Sequence, residues 1–286
     1  MATAALPVIE IAKNTYEIDE FDCGSVFVLV GEKEAMVIDT GTGVGDLRAV
    51  ISKITDKPIV LFVTHAHGDH IGGLGWFDEY YMNENDVGKY KMDGVEFRKN
   101  YAGFIKARSG KEYPYDMDED IRPWPADANP KRLELPDGWT YDLGGRVVTA
   151  MHCPGHTPGS MVLFDPLTGI LFAGDACNCN TLYGSIPGDP TFTSVEKAGE
   201  ALKAVYALKG KMWDKCYNGH HDFREFGEPL DEEVMPNLID LCDQLVSGNY
   251  EAKTIPGMFP GSPDRTVVTK GTVMVTFRAE GIHEPK

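Results

Sequence analysis

Short runs of apolar and β-branched residues, separated by turn residues, dominate the first part of the chain. Residues 25–30 (SVFVLV) and 35–40 (AMVIDT) are two such runs with four residues between them, a pattern that predicts a β-hairpin. Apolar residues in 44–54 recur at helical spacing and predict an α-helix. The continuous apolar run 58–64 predicts a strand that is buried on both faces.

A second set of elements follows from residue 139 onward. The pattern predicts four strands, a helix, a strand, a second helix and a closing strand, at 139–145, 146–152, 160–166, 169–175, 193–210, 214–219, 232–248 and 272–278. No linker rich in Pro, Gly or Ser separates this set from the first. We therefore expect a single α/β domain over residues 1–286, with two stacked sheets and helices outside them.

The stretch 76–130 departs from this regular rhythm. It is dense in aromatic residues interleaved with charges, and 116–130 (DMDEDIRPWPADANP) has the composition of a loop. A long irregular loop in a compact domain often covers a binding site. We predict that residues 95–131 are an insertion that forms a lid or pocket wall, although a surface excursion with its own small aromatic core fits the same composition.

The charge of the chain narrows the class of partners. The formal net charge is −17, and such a surface repels polyanions, which argues against nucleic acid or an acidic membrane as a partner. No segment approaches the ~20 apolar residues that a membrane-spanning helix needs. The N-terminal residues lack the basic region of an export signal. We therefore predict a cytoplasmic protein whose six cysteines are mostly reduced thiols.

The segment LFVTHAHGDHIGG, residues 61–73, places four potential metal ligands directly behind an apolar run. Side chains alternate along an extended chain, so His65 and His67 project to the same side. Gly68 then permits a sharp turn that brings Asp69 and His70 round from another direction. Imidazole and carboxylate groups are suitable ligands for Zn, Mn or Fe(II). The segment therefore predicts a metal site at the end of a buried strand.

Three further segments repeat this order of apolar strand, glycine and ligand-type residue. His156 lies between two Pro-Gly pairs in CPGHTPGS, and Asp175 ends the strand ILFAGD. A carboxylate at the end of a buried strand is costly unless it is paired or binds a cation. His220 and His221 end the third segment, CYNGHHD. Together the segments supply enough ligands for two metal ions.

These motifs resemble those of the metallo-β-lactamase-fold hydrolases. The matching pieces are VIDTG, THAHGDHIGG, PGHTPGS, AGD and NGHH, which together span residues 37–221. The resemblance implies an αββα four-layer sandwich with two divalent metal ions at one edge, between the two sheets. Zinc is the first expectation, and Mn or Fe suits the same ligands.

The resemblance also implies a role for each matching residue. One metal ion would be held by His65, His67 and His156. The second would be held by Asp69, His70 and His220, and Asp175 would bridge both. Asp39 would lie in the outer shell and order the histidine loop. The choice of His220 over His221 rests on matching the Gly-His pair of the family.

The implied chemistry is hydrolysis. A hydroxide bridging two metal ions would attack a substrate carbonyl, with Asp69 and Asp175 as catalytic residues. Tyr183 is a candidate for stabilising the oxyanion. Thiolates of Cys177 and Cys179 are chemically capable of metal ligation, but the family does not use them there. Of the remaining histidines, His152 is expected to be structural, and His283 has no evident role.

We therefore predict a hydrolase that cleaves an ester, lactone, thioester or amide bond of a small molecule, from a chain that could form a homo-oligomer. The alternative is an iron oxidoreductase on the same fold, similar to the persulfide dioxygenases. A β-lactamase is disfavoured because no export signal is visible, and a phosphodiesterase acting on nucleic acid is disfavoured by the acidic charge.

Overall fold

The computed structural model describes residues 5–90, 94–221, 224–258 and 261–285. Its strands form three sheets. The first sheet has seven strands in chain order: β1 (Val8–Ala12), β2 (Thr15–Asp19), β3 (Ser25–Val30), β4 (Ala35–Ile38), β5 (Ile59–Phe62), β6 (Glu79–Met82) and β7 (Lys131–Glu134). Strands β1 to β4 pair antiparallel, and β4 to β7 pair parallel. The hairpin predicted at 25–40 is confirmed as β3 and β4.

The second sheet has five strands in the order β13-β11-β10-β9-β8. These are β8 (Thr140–Asp142), β9 (Val147–His152), β10 (Met161–Asp165), β11 (Ile170–Gly174) and β13 (Lys215–Asn218). All five were predicted from the apolar pattern. The α-helices of the described residues are α1 (Leu47–Ile54), α2 (Gly68–Ile71), α3 (Val95–Ser109), α4 (Met117–Asp120), α5 (Val195–Tyr206) and α6 (Val234–Ser247). None of the helices in the described residues has the length and apolar content needed to span a membrane.

The layers follow from the alternation of side chains along the central strands. In β3, Val26 and Val28 join a core with α1 and α3, whereas Phe27 and Leu29 join a different core. That second core is completed by residues of the second sheet, such as Phe172. The opposite face of the second sheet packs against α5 and α6. Each sheet thus has two buried faces, and the predicted αββα sandwich is confirmed.

A third, four-stranded sheet was not predicted. Its order is β12-β16-β15-β14, formed by β12 (Asn180–Leu182), β14 (Lys253–Ile255), β15 (Arg265–Lys270) and β16 (Val273–Thr276). The strand predicted at 272–278 exists, but it pairs with β12 and β15 and not with either large sheet. Strands β12 and β14 have three residues each, which is too short to show an alternating pattern. A pairing of 180–182 with 274–276 also leaves no local trace in the sequence.

The aromatic-rich stretch is more regular than its composition suggests. Within residues 95–131, the helix α3 spans fifteen residues and was not predicted from the sequence. This helix ends at Gly110, whose φ of 65° places it in the left-handed region that favours glycine. Only Ala102, Ile105 and Arg98 on α3 are buried, so aromatic and charged residues mask the helical period. Residues 91–93 lie outside the described residues, and the division into one domain with an insertion stays a prediction.

Candidate metal centre

The histidine segment lies where the first sheet meets the second. Strand β5 ends at Phe62, and His67 is in an extended conformation directly before α2 begins at Gly68. The carbonyl of Thr64 accepts a hydrogen bond from the backbone N–H of Met161 at 2.8 Å. The first residue of β10 therefore fastens the second sheet directly beside the histidines.

The carboxylate of Asp39 orders the histidine segment. Asp39 follows β4 with a φ of 63°, a left-handed conformation that Asp adopts more readily than most residues. Its Oδ1 accepts the backbone N–H of Thr64 and its Oδ2 accepts the Thr64 hydroxyl, each at 2.7 Å. Oδ2 also lies 2.7 Å from Nδ1 of His70. Because Nδ1 is engaged, the ring of His70 presents Nε2 to the cluster.

A second buried carboxylate, that of Asp86, links two ligand-bearing loops. It accepts the backbone N–H of Ala66 at 3.0 Å, and on the other side the backbone N–H of Gly159 at 2.6 Å. The hydroxyl of Thr157 donates to it at 2.9 Å. Asp86 therefore fixes the segment that carries His65 and His67 relative to the loop that carries His156. Sequence reasoning missed this residue, because Asp86 has no motif of its own.

Three imidazoles converge in the first part of the cluster. Nδ1 of His67 lies 3.1 Å from Nε2 of His65 and 2.9 Å from Nε2 of His156. One ring nitrogen has either a single proton or a single lone pair, so it cannot form a good hydrogen bond to both neighbours. Three nitrogens that point at one position are the arrangement of a metal site.

Asp175 lies between the first part of the cluster and the second. Its carboxylate is 3.7 Å from Nε2 of His156, 3.7 Å from Nε2 of His70 and 3.3 Å from Nε2 of His220. Nε2 of His220 lies 3.4 Å from the carboxylate of Asp69. Ligand atoms of His65, His70 and Asp175 lie within 4.8 Å of one another, as do those of Asp69, His70 and His220. All seven side chains predicted as ligands are thus brought together.

The approach of His220 depends on the glycine before it. A Cβ on Gly219 would come within 2.4 Å of the ring of His70 and within 2.8 Å of the carboxylate of Asp175. Its carbonyl accepts the backbone N–H of Ser25 at 2.8 Å, which ties this loop to β3. The glycine therefore lets the third loop close over the cluster.

Orphaned buried atoms show that the cluster fits metal ions. Nε2 of His70 and Oδ1 of Asp175 are buried and have no hydrogen-bond partner among the described residues. A buried polar atom without a partner costs roughly 1–3 kcal/mol, and coordination to a cation at this position would remove that cost. Nitrogen and carboxylate ligands in these numbers suit zinc, and also Mn or Fe(II).

The protonation states agree with this fit. Burial lowers the pKa of His65 far below its usual value, lowers that of His67 to about 3, and lowers that of His156. These rings are therefore neutral at pH 7 and offer lone pairs. Burial raises the pKa of Asp69 and Asp175, but the neighbouring histidines His70 and His220 outweigh it and lower both. The carboxylates are therefore ionised.

Two histidines of the cluster have raised pKa values instead. Burial alone would lower both pKa values, but nearby carboxylates outweigh the effect of burial. The carboxylates of Asp39, Asp69 and Asp175 raise the pKa of His70 to about 9. The carboxylate of Asp175 raises the pKa of His220 well above its usual value. In each case the cause is excess negative charge within the cluster. Divalent cations would neutralise the same carboxylates.

The cluster lies at the floor of a cavity of about 460 Å³. Aromatic residues of α3 form one wall, and the third sheet forms another. The residues of these walls include Tyr90, Phe97, Tyr101, Phe104, Arg108, Leu182, Met258, Arg265 and Thr276. This volume is within the ~300–1,000 Å³ of small-molecule sites. The cavity therefore offers a largely apolar chamber above the polar cluster.

Tyr101 connects the wall to the floor. Burial, together with the negative charge of Asp69 and a hydrogen bond to it, raises the pKa of Tyr101 well above its usual value. The phenol therefore stays protonated and donates to the carboxylate of Asp69. In the sequence, Tyr101 was noticed only as one residue of an aromatic-rich stretch. Its hydrogen bond to Asp69 depends on how α3 lies across the cavity, which no local motif indicates.

The structure does not bring Tyr183 to the cluster. Its side chain is 1% exposed and packs in the core beneath α5 and α6. Its hydroxyl donates to the carbonyl of Ala176 at 2.6 Å, so it is engaged away from the cavity. The proximity of Tyr183 to Asp175 in sequence was misleading, because β12 turns the chain back into the core.

The other sequence candidates lie outside the cluster, and His221 belongs to a separate buried group of potential metal ligands with Asp19 and Asp22. His221 lies 2.8 Å from Asp19 and 3.2 Å from Asp22, which separates it from His220. Nε2 of His152 lies 2.8 Å from the carbonyl oxygen of Pro158. Cys177 and Cys179 are buried in the core and belong to no group of potential metal ligands among the described residues. All six cysteines are free thiols.

The chain is similar in sequence to curated proteins and in fold to solved structures. Bovine (Bos taurus) acyl-coenzyme A thioesterase MBLAC2 is 27% identical over 219 residues, which cover 71% of this chain and 74% of the relative. Hydroxyacylglutathione hydrolase of Dechloromonas aromatica is 24% identical over 77% of this chain and 66% of its own. The structure of a metallo-beta-lactamase from Pontibacter korlensis superposes with a TM-score of 0.53 at 17% identity, over 83% of this chain and 98% of its own.

The family model of the metallo-beta-lactamase superfamily matches residues 21–212. The matched region contains the histidine segment, the His156 loop and Asp175, while His220 and most of the third sheet lie beyond it. This match covers well over half of the sequence. The chain belongs to the metallo-beta-lactamase superfamily.

Proposed function

We propose that this protein is a hydrolase of small-molecule acyl compounds, that it depends on two divalent metal ions, and that its substrates are thioesters. The observation that carries the proposal is the convergence of seven ligand-type side chains, with orphaned atoms on His70 and Asp175, at the floor of an apolar-walled cavity. A structural cluster would pair these atoms with one another.

The distances support a division of the ligands into two sets. His65, His67 and His156 would hold one ion. Asp69, His70 and His220 would hold the other, and Asp175 lies where it would contact both. Zinc is the first expectation for these ligands, with Mn or Fe(II) as alternatives. Asp39 would lie outside both sets of ligands and would act through its hydrogen bonds to His70 and Thr64.

Two metal ions in this cluster would supply a hydroxide nucleophile at neutral pH and polarise the carbonyl group of the substrate. The residues of the chain supply position and environment. Tyr101 holds the carboxylate of Asp69 by a hydrogen bond, so that this carboxylate can orient the attacking water. Phe97 and Phe104 line the wall, where they would contact the acyl group and exclude bulk water.

The reaction consumes one water molecule. Hydroxide adds to the carbonyl carbon, the bond between carbon and sulfur breaks, and a carboxylic acid and a thiol are released. Thioesters are favoured within the wider class of esters, lactones and amides because two of the relatives are named for acyl-coenzyme A and hydroxyacylglutathione. The aromatic wall is also suited to an apolar acyl chain.

The test is a substrate panel on protein loaded separately with Zn, Mn or Fe(II) after metal removal. We expect turnover of acyl thioesters to exceed that of lactones, β-lactams and phosphodiesters. Oxygen uptake with a persulfide substrate and one iron per chain would overturn the proposal in favour of the dioxygenase alternative. A panel in which no thioester is hydrolysed would also overturn it.

A matched pair of histidine variants controls for the metal centre. His220→Ala removes a proposed ligand, and we expect it to abolish thioester turnover. His283→Ala removes a histidine whose side chain is 58% exposed and belongs to no group of potential metal ligands among the described residues, so turnover should be retained. The cytoplasmic location, the exclusion of nucleic acid and a homo-oligomeric state stay predictions.

A further inference from the structure

A second cavity, of about 430 Å³, adjoins the chamber above the cluster. Leu182, Met258, Arg265 and Thr276 line both cavities. The second cavity then continues along β15 and the segment after β16 as far as Glu280. The site is therefore elongated: its inner part lies over the metal ligands, and its outer part lies over the third sheet.

Two arginines line the outer part of this elongated site. Arg265 is half-buried where the cavities meet, and its Nε donates to the carbonyl of Pro256 at 3.3 Å. Arg278 lies further out. Neither guanidinium forms an ion pair with a carboxylate of the described residues, in contrast to Arg146 and Arg224, which pair with acidic side chains inside the fold.

These cations stand out against the charge of the whole chain. The net charge is −17, and the second cavity also carries Asp264 and Glu280 on its lining. The outer cavity is thus balanced in charge, with two guanidinium groups and two carboxylates, whereas the chain as a whole is strongly negative. An anionic ligand is therefore repelled less in this cleft than over most of the surface. A guanidinium group donates two parallel hydrogen bonds to a phosphate or carboxylate, which adds specificity to charge attraction.

The positions of the two arginines limit the length of the ligand that can contact both of them. Arg278 lines only the outer cavity, whereas the carbonyl to be attacked must lie over the cluster in the inner one. A ligand whose carbonyl lies over the cluster and whose anionic end contacts Arg278 must therefore extend from the inner cavity into the outer one. A small thiol with a carboxylate close to its sulfur would leave Arg278 without a contact.

We propose that the outer cavity binds the phosphate-bearing end of a long thiol carrier, such as coenzyme A, with Arg265 and Arg278 contacting its phosphates. The acyl group then lies in the inner cavity between the cluster and the aromatic wall of α3. This inference rests on the proposed thioesterase function and adds the class of carrier to it.

The experiment compares two thioesters of the same acyl group, one of coenzyme A and one of the short neutral thiol N-acetylcysteamine. In Arg265→Gln and Arg278→Gln, we expect KM for the coenzyme A thioester to rise roughly 10-fold in each variant, as loss of a charge-assisted hydrogen bond predicts. KM for the neutral thioester should rise by much less, and kcat for both substrates should change little.

Two controls isolate the arginines. Lys253→Gln removes one positive charge from an exposed position on β14 that lines neither cavity, so both KM values should match the wild type. Arg265→Lys keeps the charge but loses the fork of donors, and it should recover part of the affinity. Higher salt should raise KM for the coenzyme A thioester more than for the neutral one.

Several outcomes would overturn the inference. One is a rise in KM that is equal for both thioesters; another is a change below about twofold for the coenzyme A thioester. Equal dependence of a glutathione thioester on both arginines would contradict the phosphate assignment.

Binding of a non-hydrolysable coenzyme A thioether, measured by calorimetry, separates this inference from the proposed function. Arg-dependent binding by a wild type that hydrolyses no thioester would sustain the carrier site and refute the activity. Binding that is independent of both arginines would refute the carrier site.

Discussion

The floor and the walls of the cavity differ in how they are built. The floor is made by loops at the ends of buried strands, and Asp39 and Asp86 hold those loops through hydrogen bonds to backbone and side chains. The walls come from α3 and from the third sheet, which approach the cluster from distant parts of the sequence. From this contrast we expect the floor to determine the chemistry and the walls to determine the choice of substrate.

The floor should be the more sensitive region. Asp175→Ala removes the carboxylate that lies between the two proposed sets of ligands. We expect kcat/KM to fall by more than the ~10–100-fold that loss of an outer-shell partner costs, with metal content reduced. Asp56→Ala, which removes an exposed carboxylate beyond α1, is the control and should retain wild-type kinetics. Retained turnover in the Asp175 variant would show that this residue does not bind metal.

Asp39→Ala tests the outer shell of the floor. The substitution removes the partners of the Thr64 N–H, the Thr64 hydroxyl and Nδ1 of His70. We expect a loss of about 10–100-fold in metal affinity, measured by competition with a chelator of known affinity. Recovery of activity at high metal concentration would identify the defect as one of affinity. If affinity is unchanged, Asp39 does not position the ligands.

Asp86→Ala applies the same test to the set formed by His65, His67 and His156. This carboxylate fastens the His65 and His67 segment to the His156 loop, so its loss should also cost roughly 10–100-fold in metal affinity. Stepwise metal titration should show a larger loss of metal affinity at one of the two sites than at the other. Simultaneous and equal weakening of both sites would contradict a role confined to the three histidines.

A substitution in the wall should change the preference for substrates and leave the metal content unchanged. Phe104→Ala removes an aromatic ring from the inner cavity. We expect KM for a long-chain acyl thioester to rise by roughly 10-fold, as loss of apolar contact predicts, with metal content unchanged. Tyr206→Ala, at an exposed aromatic position on α5, is the control. Loss of metal with unaltered chain-length preference would reverse the roles assigned to wall and floor.

The smallest effect concerns Glu20, a buried carboxylate in the loop between β2 and β3. It accepts the backbone N–H groups of Thr42, Gly43 and Val44. Burial raises its pKa from 4.5 to about 8, against the opposing effect of these donors. The folded state therefore retains this proton over a range in which the unfolded state has lost it.

The pH dependence of stability follows from that difference. The contribution of Glu20 is complete below about pH 4.5 and is lost as the pH rises toward 8, at up to about 1.4 kcal/mol per pH unit. In Glu20→Gln this slope should disappear from the free energy of unfolding measured by denaturant at several pH values. Parallel curves for the two proteins would show that Glu20 is already ionised in the fold.

The sequence predicted which side chains meet at the floor, because each proposed ligand follows a strand in a short motif. His65 to His70 lie in six consecutive positions, and Asp175 and His220 each follow an apolar run. The two large sheets were also predictable, since β3 and β5 have strong apolar patterns. Resemblance to a known family was needed to assign His220 in preference to His221, and the structure separates the two.

The walls could not be predicted in the same way. Arg265 and Tyr101 acquire their positions from β15 and from α3, and neither of these elements was predicted from the periodicity of the sequence. Tyr183 illustrates the opposite error, in which nearness in sequence suggested a site residue that the fold buries elsewhere. A local motif indicates which ligand-type side chains lie at the end of a strand. The walls of a cavity depend on packing between distant segments, which a local motif does not indicate.

The most direct test of the account is metal content measured together with turnover, by elemental analysis of the purified protein during stepwise removal and return of Zn. We expect thioester hydrolysis to disappear with the metal and to return in full only as the content approaches two ions per chain, the number proposed from the two sets of ligands. Full turnover at one ion per chain, or turnover that survives complete metal removal, would contradict the account.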